Sequence, residues 1–203
     1  MSGFTQLRTP RLTLRQVSHG DVHAMCGYRS LPEVARYQSW ESFGPADAAK
    51  LVDGQAGLAP GVPGTWFQLA IIISASGVMA GDCGLHCLRG DPRQMELGIT
   101  VGPECQGRGY ATEAVGGVLD FVFRDLGKHR VTAVTDADNA PAAKLFQRLG
   151  FRREAYFLEH LWFKDRWGSE FVFALLKREW EERQTRPGQD LILSHAATSR
   201  SER

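Results

Sequence analysis

The stretch from Met95 to Leu126 constrains this chain more than any other. Leu97, Ile99 and Val101 alternate with Gly98, Thr100 and Gly102, the period of a β-strand. Gly107 and Gly109 follow, and glycine permits a tight turn that other residues resist. A helical period then begins, with Ala111, Val115, Val118, Leu119, Val122, Phe123 and Leu126 on one face. A strand that feeds a glycine turn and a helix start gathers free amide N–H groups at the positive end of the helix dipole. That arrangement suits a phosphate.

What the motif lacks narrows the ligand. A P-loop would end in Gly-Lys-Ser/Thr, which is absent. A dinucleotide turn would carry a third glycine, where Thr112 stands, and an acidic residue about 20 positions on. Asp136 comes too late, and several strands precede the loop. A dinucleotide-dependent oxidoreductase is therefore the weaker alternative.

The chain of 203 residues reads as one domain with a full core. Its 43% apolar and 23% charged residues are those of a soluble globular protein. A formal net charge of +1 gives no electrostatic case for nucleic acid or an anionic membrane. No window approaches the ~20 apolar residues of a membrane span. The first residues lack the apolar run of a signal peptide, so a cytoplasmic location is expected. Four cysteines fit that location as free thiols. Cys83, His86 and Cys87 lie close enough to raise a metal site. Strand periodicity puts Cys83, Leu85 and Cys87 on one face and His86 on the other, so no metal is expected. Cys105 precedes the glycine turn, where a thiol can acidify, but a small packed residue is the simpler reading.

Strands are expected at Leu12–Gln16, Trp66–Ser74, Val78–Leu88, Arg130–Thr135, Phe151–Phe163 and Ser169–Leu176, besides the one before the loop. Helices are expected at Asp21–Arg29, Pro32–Gln38, Pro45–Leu58 and Ala140–Leu149, with Asn139 as the N-cap of the last and Gly150 ending it. Residues 184–203 are polar and aperiodic and are expected to be a flexible tail after a single domain over 1–183. Antiparallel strands followed by a β-α-β-α-β section give an α+β, mixed sheet covered by helices.

Four ordered segments together resemble the GNAT superfamily of acyl-CoA-dependent N-acyltransferases. Gln106-Gly-Arg-Gly109-Tyr-Ala111 matches that family's pyrophosphate loop, and its extension to Ala114 is typical of the branch that acetylates ribosomal-protein N-termini. Arg11 to Arg15 with Asp21 resembles the branch's opening. Asp138 to Ala143 with Leu149-Gly150-Phe151 resembles its second CoA-contacting segment. Phe171 to Leu176 with Glu179-Trp180 resembles its ending. The likeness spans about Leu7 to Arg183.

The resemblance implies a splayed central sheet of about seven strands and transfer of an acyl group, acetyl first, from acyl-CoA to a primary amine. The acceptor would be a protein N-terminus or a small-molecule amine. By the same resemblance, Gln106, Gly107, Arg108, Gly109, Tyr110, Ala111 and Thr112 hold the pyrophosphate. Leu97, Ile99 and Val101 pair with the pantetheine through their main chains, and Asn139 touches the cofactor. Glu96 is the expected general base, working through water. Glu113 is the rival acid, disfavoured by its place beside phosphate. The family's proton donors are missing: Phe146 and Ala142 stand at their positions, leaving water, Tyr156 or Cys105 to serve. The acceptor pocket is expected between the early helices and the final hairpin, with Tyr37, Trp40, Phe43, Trp66, Tyr156, Trp162 and Trp167 available and His160 nearby. Relatives are often dimers, so a homodimer is admitted. A non-catalytic acyl-CoA-binding module is the alternative from another class, since the proton donor is gone.

Overall fold

The computed structural model describes residues 4–185. Most of the expected tail lies outside the described residues. Its first two positions do not, because the final helix runs to Thr185.

In chain order the elements are β1 (Gln6–Arg8), β2 (Leu12–Gln16), α1 (Val22–Arg29), α2 (Pro32–Ala35), α3 (Pro45–Asp53), β3 (Trp66–Ile73), β4 (Met79–Cys87) and β5 (Gln94–Val101). Then come α4 (Tyr110–Asp120), β6 (Arg130–Asp136), α5 (Ala140–Arg148), β7 (Arg152–Phe163), β8 (Arg166–Leu176) and α6 (Lys177–Thr185). One eight-stranded sheet has the order β1-β2-β3-β4-β5-β6-β8-β7. Only β5 and β6 are parallel. The eighth strand, absent from the sequence reading, is β1. It has three residues, and only its pairing with β2 from Gln6↔Arg15 to Arg8↔Thr13 makes it a strand.

Two early helices are shorter than their sequence patterns suggest. α2 stops at Ala35 and α3 at Asp53, where Gly54 follows as C-cap. The last strand starts earlier, at Arg166, because Lys164 and Asp165 both take positive φ (54° and 56°) and close a two-residue hairpin.

The sheet has two buried faces. On one, Ala114, Val115, Val118, Leu119, Val122 and Phe123 from the long helical segment are fully buried against Phe67, Leu69, Cys83, Leu85, Cys87, Met95 and Leu97. The predicted helical face is thus the packed one, with Ala111 and Leu126 at its margins. On the other, Met25 and Tyr28 of α1 and Ala48 and Val52 of α3 cover Val17, Phe43 and Ala70. Cys83, Leu85 and Cys87 face the first core, and His86 does not.

Candidate active site

The split in the sheet organises the site. β4 stays paired with β5 from Cys87↔Met95 to Gly81↔Val101. β5 meets β6 only over Gln94–Glu96, opposite Arg130–Thr132. Beyond Thr132, β6 continues beside β8 as far as Asp136↔Glu170. Among the described residues no strand pairs with the other edge of β5 from Leu97 to Val101. The side chains of Leu97, Ile99 and Val101 pack toward the α4 core, which leaves their backbone edge as the part of these residues that faces the fork.

The glycine turn closes the fork. Gly107 (φ 71°) and Gly109 (φ 79°) both lie in the left-handed region. Gln106 donates its side-chain N–H to the Val101 carbonyl at 2.9 Å and ties the turn to β5. The first intrahelical bond of α4 runs from the Glu113 amide to the Gly109 carbonyl, 3.0 Å. The preceding amides of Tyr110, Ala111 and Thr112 are the free donors of a helix start. A Cβ at Gly107 would meet nothing within 4 Å, so the turn borders open space that suits a phosphate.

Arg11 braces this turn. Its Nη1 donates to the Arg108 carbonyl at 3.0 Å, and its guanidinium carbon lies 4.9 Å from the centre of the Tyr110 ring. Its Nε and backbone amide bind the Glu113 carboxylate at 2.6 and 2.7 Å, and Thr9 Oγ1 adds a third donor at 2.6 Å. Burial alone would raise the Glu113 pKa, but these donors hold it below the ordinary value. Glu113 is therefore a fixed anchor between the β1–β2 turn and α4. Thr112 Oγ1 accepts from Arg148 Nη1 of α5 at 3.3 Å, a guanidinium the sequence reading did not single out. Asn139 caps α5, its Oδ1 accepting from the Ala142 amide at 3.2 Å.

Glu96 stands at the fork with its side chain one-third exposed. Opposite it on β4 is His86, whose Nδ1 lies 3.9 Å from Glu96 Oε2. The His86 ring stacks on Trp66 of β3, with centroids 4.9 Å apart and planes at 14°. Register extends this row into a grid of three. Gln68, Gly84 and Gly98 form the second row, and Ala70, Asp82 and Thr100 the third. Over the grid lies a cavity of about 420 Å³, walled by Trp40, Phe43, Asp47 and Trp66 and floored by Gly84 and Gly98.

A buried ion pair supports the cavity wall. Asp82 accepts from Arg29 Nε at 2.9 Å, Arg29 Nη2 at 2.5 Å, Gln68 Nε2 at 2.5 Å and the Tyr28 hydroxyl. The Arg29 guanidinium lies 4.5 Å from the Trp40 ring centre and 4.8 Å from that of Phe43. Burial, and then the Asp82 charge, push the Tyr28 hydroxyl far above its usual pKa. Arg29 stays charged, because the Asp82 interaction outweighs the desolvation that opposes it.

Several expected site residues lie elsewhere. Among the described residues, none from β7 or β8 lines the cavity. Those strands face a smaller cleft with Tyr37, Gln38 and Ser39, two of which also border the cavity. Trp162 and Trp167 pack edge-to-face on the exposed hairpin, and Tyr156 rests half-exposed on Phe171. His160 pairs with Glu170 at 3.1 Å. Phe146 is buried between Phe151 and Phe173, and Cys105 is packed in the core. The sequence reading missed Arg29, Gln68 and Asp82. A lone aspartate in the apolar β4 run was a signal for the last of these. No group of three or more His, Cys, Asp or Glu that could hold a metal occurs among the described residues.

A glycine turn with a free helix start, beside a strand whose edge opens at a carboxylate, is the arrangement that the resemblance to CoA-dependent acyltransferases implies. The chain belongs to the GNAT family: the family model described as an acetyltransferase (GNAT) domain matches residues 11–152. The uncharacterized N-acetyltransferase p20 of Bacillus licheniformis is 30% identical over 86% of this chain and 97% of its own length. The ribosomal protein uS5-alanine N-acetyltransferase of Escherichia coli is 29% identical over 47% of this chain and 49% of its own. The crystal structure of a GNAT-family acetyltransferase from Bacillus anthracis superposes with a TM-score of 0.78. It is 25% identical and covers 86% of this chain and all of its own. The protein is thus an N-acetyltransferase that moves an acetyl group from acetyl-CoA to an amine. That membership overturns the dinucleotide alternative.

Proposed function

We propose that the acceptor is a primary amine, the α-amino group of a protein N-terminus or a small-molecule amine, seated in the cavity over Gly98. The observation that carries this reading is the fork at Glu96, with the glycine turn on one side of β5 and the aromatic cavity on the other. The amides of Gly107, Gly109, Tyr110, Ala111 and Thr112 grip the pyrophosphate, Gln106 holds the turn, and Arg108 adds charge. The main chains of Leu97, Ile99 and Val101 pair with the pantetheine amides as an added strand would. The amide near Ile99 polarises the thioester oxygen. Asn139, its Oδ1 engaged in the cap, reaches the cofactor with its NH₂ group.

When bound, acetyl-CoA supplies an activated acyl carbon, and the chain must bring the acceptor amine to its neutral form. An α-amino group titrates near 8, against about 10.4 for lysine, so it needs less help. Glu96 accepts the proton through water. With Phe146 and Ala142 offering no donor, the departing thiolate takes its proton from water, which its thiol-like pKa near 8.5 permits. The test is release of CoA thiol across a panel of amines and N-terminal peptides. Glu96→Gln is expected to lower acceptor-dependent release at least about tenfold. Unchanged release would remove Glu96 from the mechanism, and no release with any amine would overturn the acceptor reading.

The domain is read as one unit over 1–183. A cytoplasmic location is supported by four unpaired thiols, and recovery of the native protein from an extracytoplasmic fraction would contradict it. A homodimer through the β7–β8 hairpin is supported by its exposed Phe157, Leu158, Leu161, Trp162 and Trp167. Sedimentation showing only monomer at micromolar concentration would reject it.

A further inference from the structure

We propose that His86 is the positioning residue of the proton relay, the group that takes the proton from Glu96 and restores its carboxylate. The inference rests on the reading of Glu96 as base and extends it.

Three observations converge on His86. Register places it between Trp66 and Glu96 in the row of the grid at the fork. The Trp66 stack fixes the plane of its ring. Its Nδ1 then lies 3.9 Å from Glu96 Oε2, about 1 Å beyond hydrogen-bond length. A small rotation of Glu96 or one shared water closes that gap. Both partners are partly exposed, at 24% and 33% of their side chains, so water and a proton can reach them.

The chemistry supplies the reason. An alkylammonium must lose a proton before its nitrogen can attack. A carboxylate is a weak base and a poor resting place for it, whereas an imidazole can take the proton up and pass it on. The ammonium N–H bond breaks, and the proton passes through water to Glu96 and then to an imidazole nitrogen. The amine lone pair is left free to form the bond to the acyl carbon. The imidazolium so formed faces the Glu96 carboxylate and the Trp66 ring. It returns the proton to solvent after turnover. No redox partner is needed.

The other charged groups around His86 leave this path clear. β3 contributes Trp66 and Gln68, neither titratable. Asp82, further along β4, is saturated by Arg29, Gln68 and Tyr28. Arg29 from α1 is held in that pair, and Asp47 from α3 lies on the cavity wall.

The test compares wild type, His86→Gln and Glu96→Gln on two acceptors. One is an alkylamine, protonated at pH 7. The other is a hydrazide, already neutral at that pH. His86→Gln is expected to lose about tenfold in kcat/KM with the alkylamine and less than twofold with the hydrazide. The acid limb of its pH profile should move to lower pH. Trp66→Leu removes the stack but no proton acceptor, and it should move the same limb the same way by less. It carries the test if His86→Gln fails to fold. Equal losses with both acceptors, or an unmoved acid limb, would overturn the proposal. Loss in Glu96→Gln with none in His86→Gln would sink the relay and keep Glu96 as base. Loss in His86→Gln with none in Glu96→Gln would sink the Glu96 reading, and the relay with it.

Discussion

Replacing Asp82 with alanine tests how the acceptor cavity is held open. The Arg29 side chain is 6% exposed and its partner 2%. Removing the carboxylate leaves a buried guanidinium without its counter-ion, beside the rings of Trp40 and Phe43 and the Tyr28 hydroxyl, and strips that hydroxyl and the Gln68 amide of the carboxylate that accepted from them. Breaking a buried pair from one side costs about 3–5 kcal/mol. For a domain of this size each kcal/mol moves Tm by about 2–4 °C, so a fall of about 6–20 °C is expected. Thermal unfolding by circular dichroism at pH 7 measures it. The double variant Arg29→Met/Asp82→Leu removes the orphan charge and should recover at least half of the loss. In steady-state kinetics the single variant should raise the acceptor KM while leaving that of acetyl-CoA within about twofold, because the pair supports only the acceptor wall. A loss below about 1 kcal/mol, or a double variant worse than the single one, would refute the reasoning.

Two further outcomes follow from the same geometry. Gly98→Ala adds a methyl that meets nothing within 4 Å, so stability should stay within about 0.5 kcal/mol while the acceptor KM rises several-fold. Unchanged acceptor kinetics would move the acceptor off the Gly98 floor. Glu154 is held down to about pKa 2, first by Arg130 and then by Arg152, against the opposing effect of burial. A lowered folded-state pKa contributes stability that is complete above the unfolded value near 4.5 and is lost as pH falls toward 2. Glu154→Gln should therefore be less stable than wild type at pH 7 by about 1 kcal/mol or less. The two melting curves should converge by pH 2, and a gap that stays constant to pH 2 would contradict this.

Much of the fold was readable from periodicity, because periodicity reports burial. The helical face from Val115 to Phe123 and the alternation of Cys83, Leu85 and Cys87 with His86 both describe one-sided packing, which a sequence records directly. β1 left no such record, since three residues become a strand only through their partner. The site divides in the same way. The glycine turn is local chemistry and was legible. The Arg29–Asp82 pair joins residues far apart in sequence, and the closeness of His86 to Glu96 exists only through register. The aromatics show the limit most clearly. Trp66 and Trp162 are the same residue type on strands, but one lies over a glycine floor and the other on an edge hairpin, and only the order of strands in the sheet separates them.

The central strands carry two independent scripts. At odd positions, Phe67, Leu69, Cys83, Leu85, Met95 and Leu97 belong to the core that makes the protein fold. At even positions, Trp66, Gln68, Gly84, His86, Glu96 and Gly98 face the side proposed for the acceptor. Drift on one script leaves the other legible. A lineage can therefore exchange one amine for another by rewriting alternate letters of three strands, without passing through an unfolded ancestor.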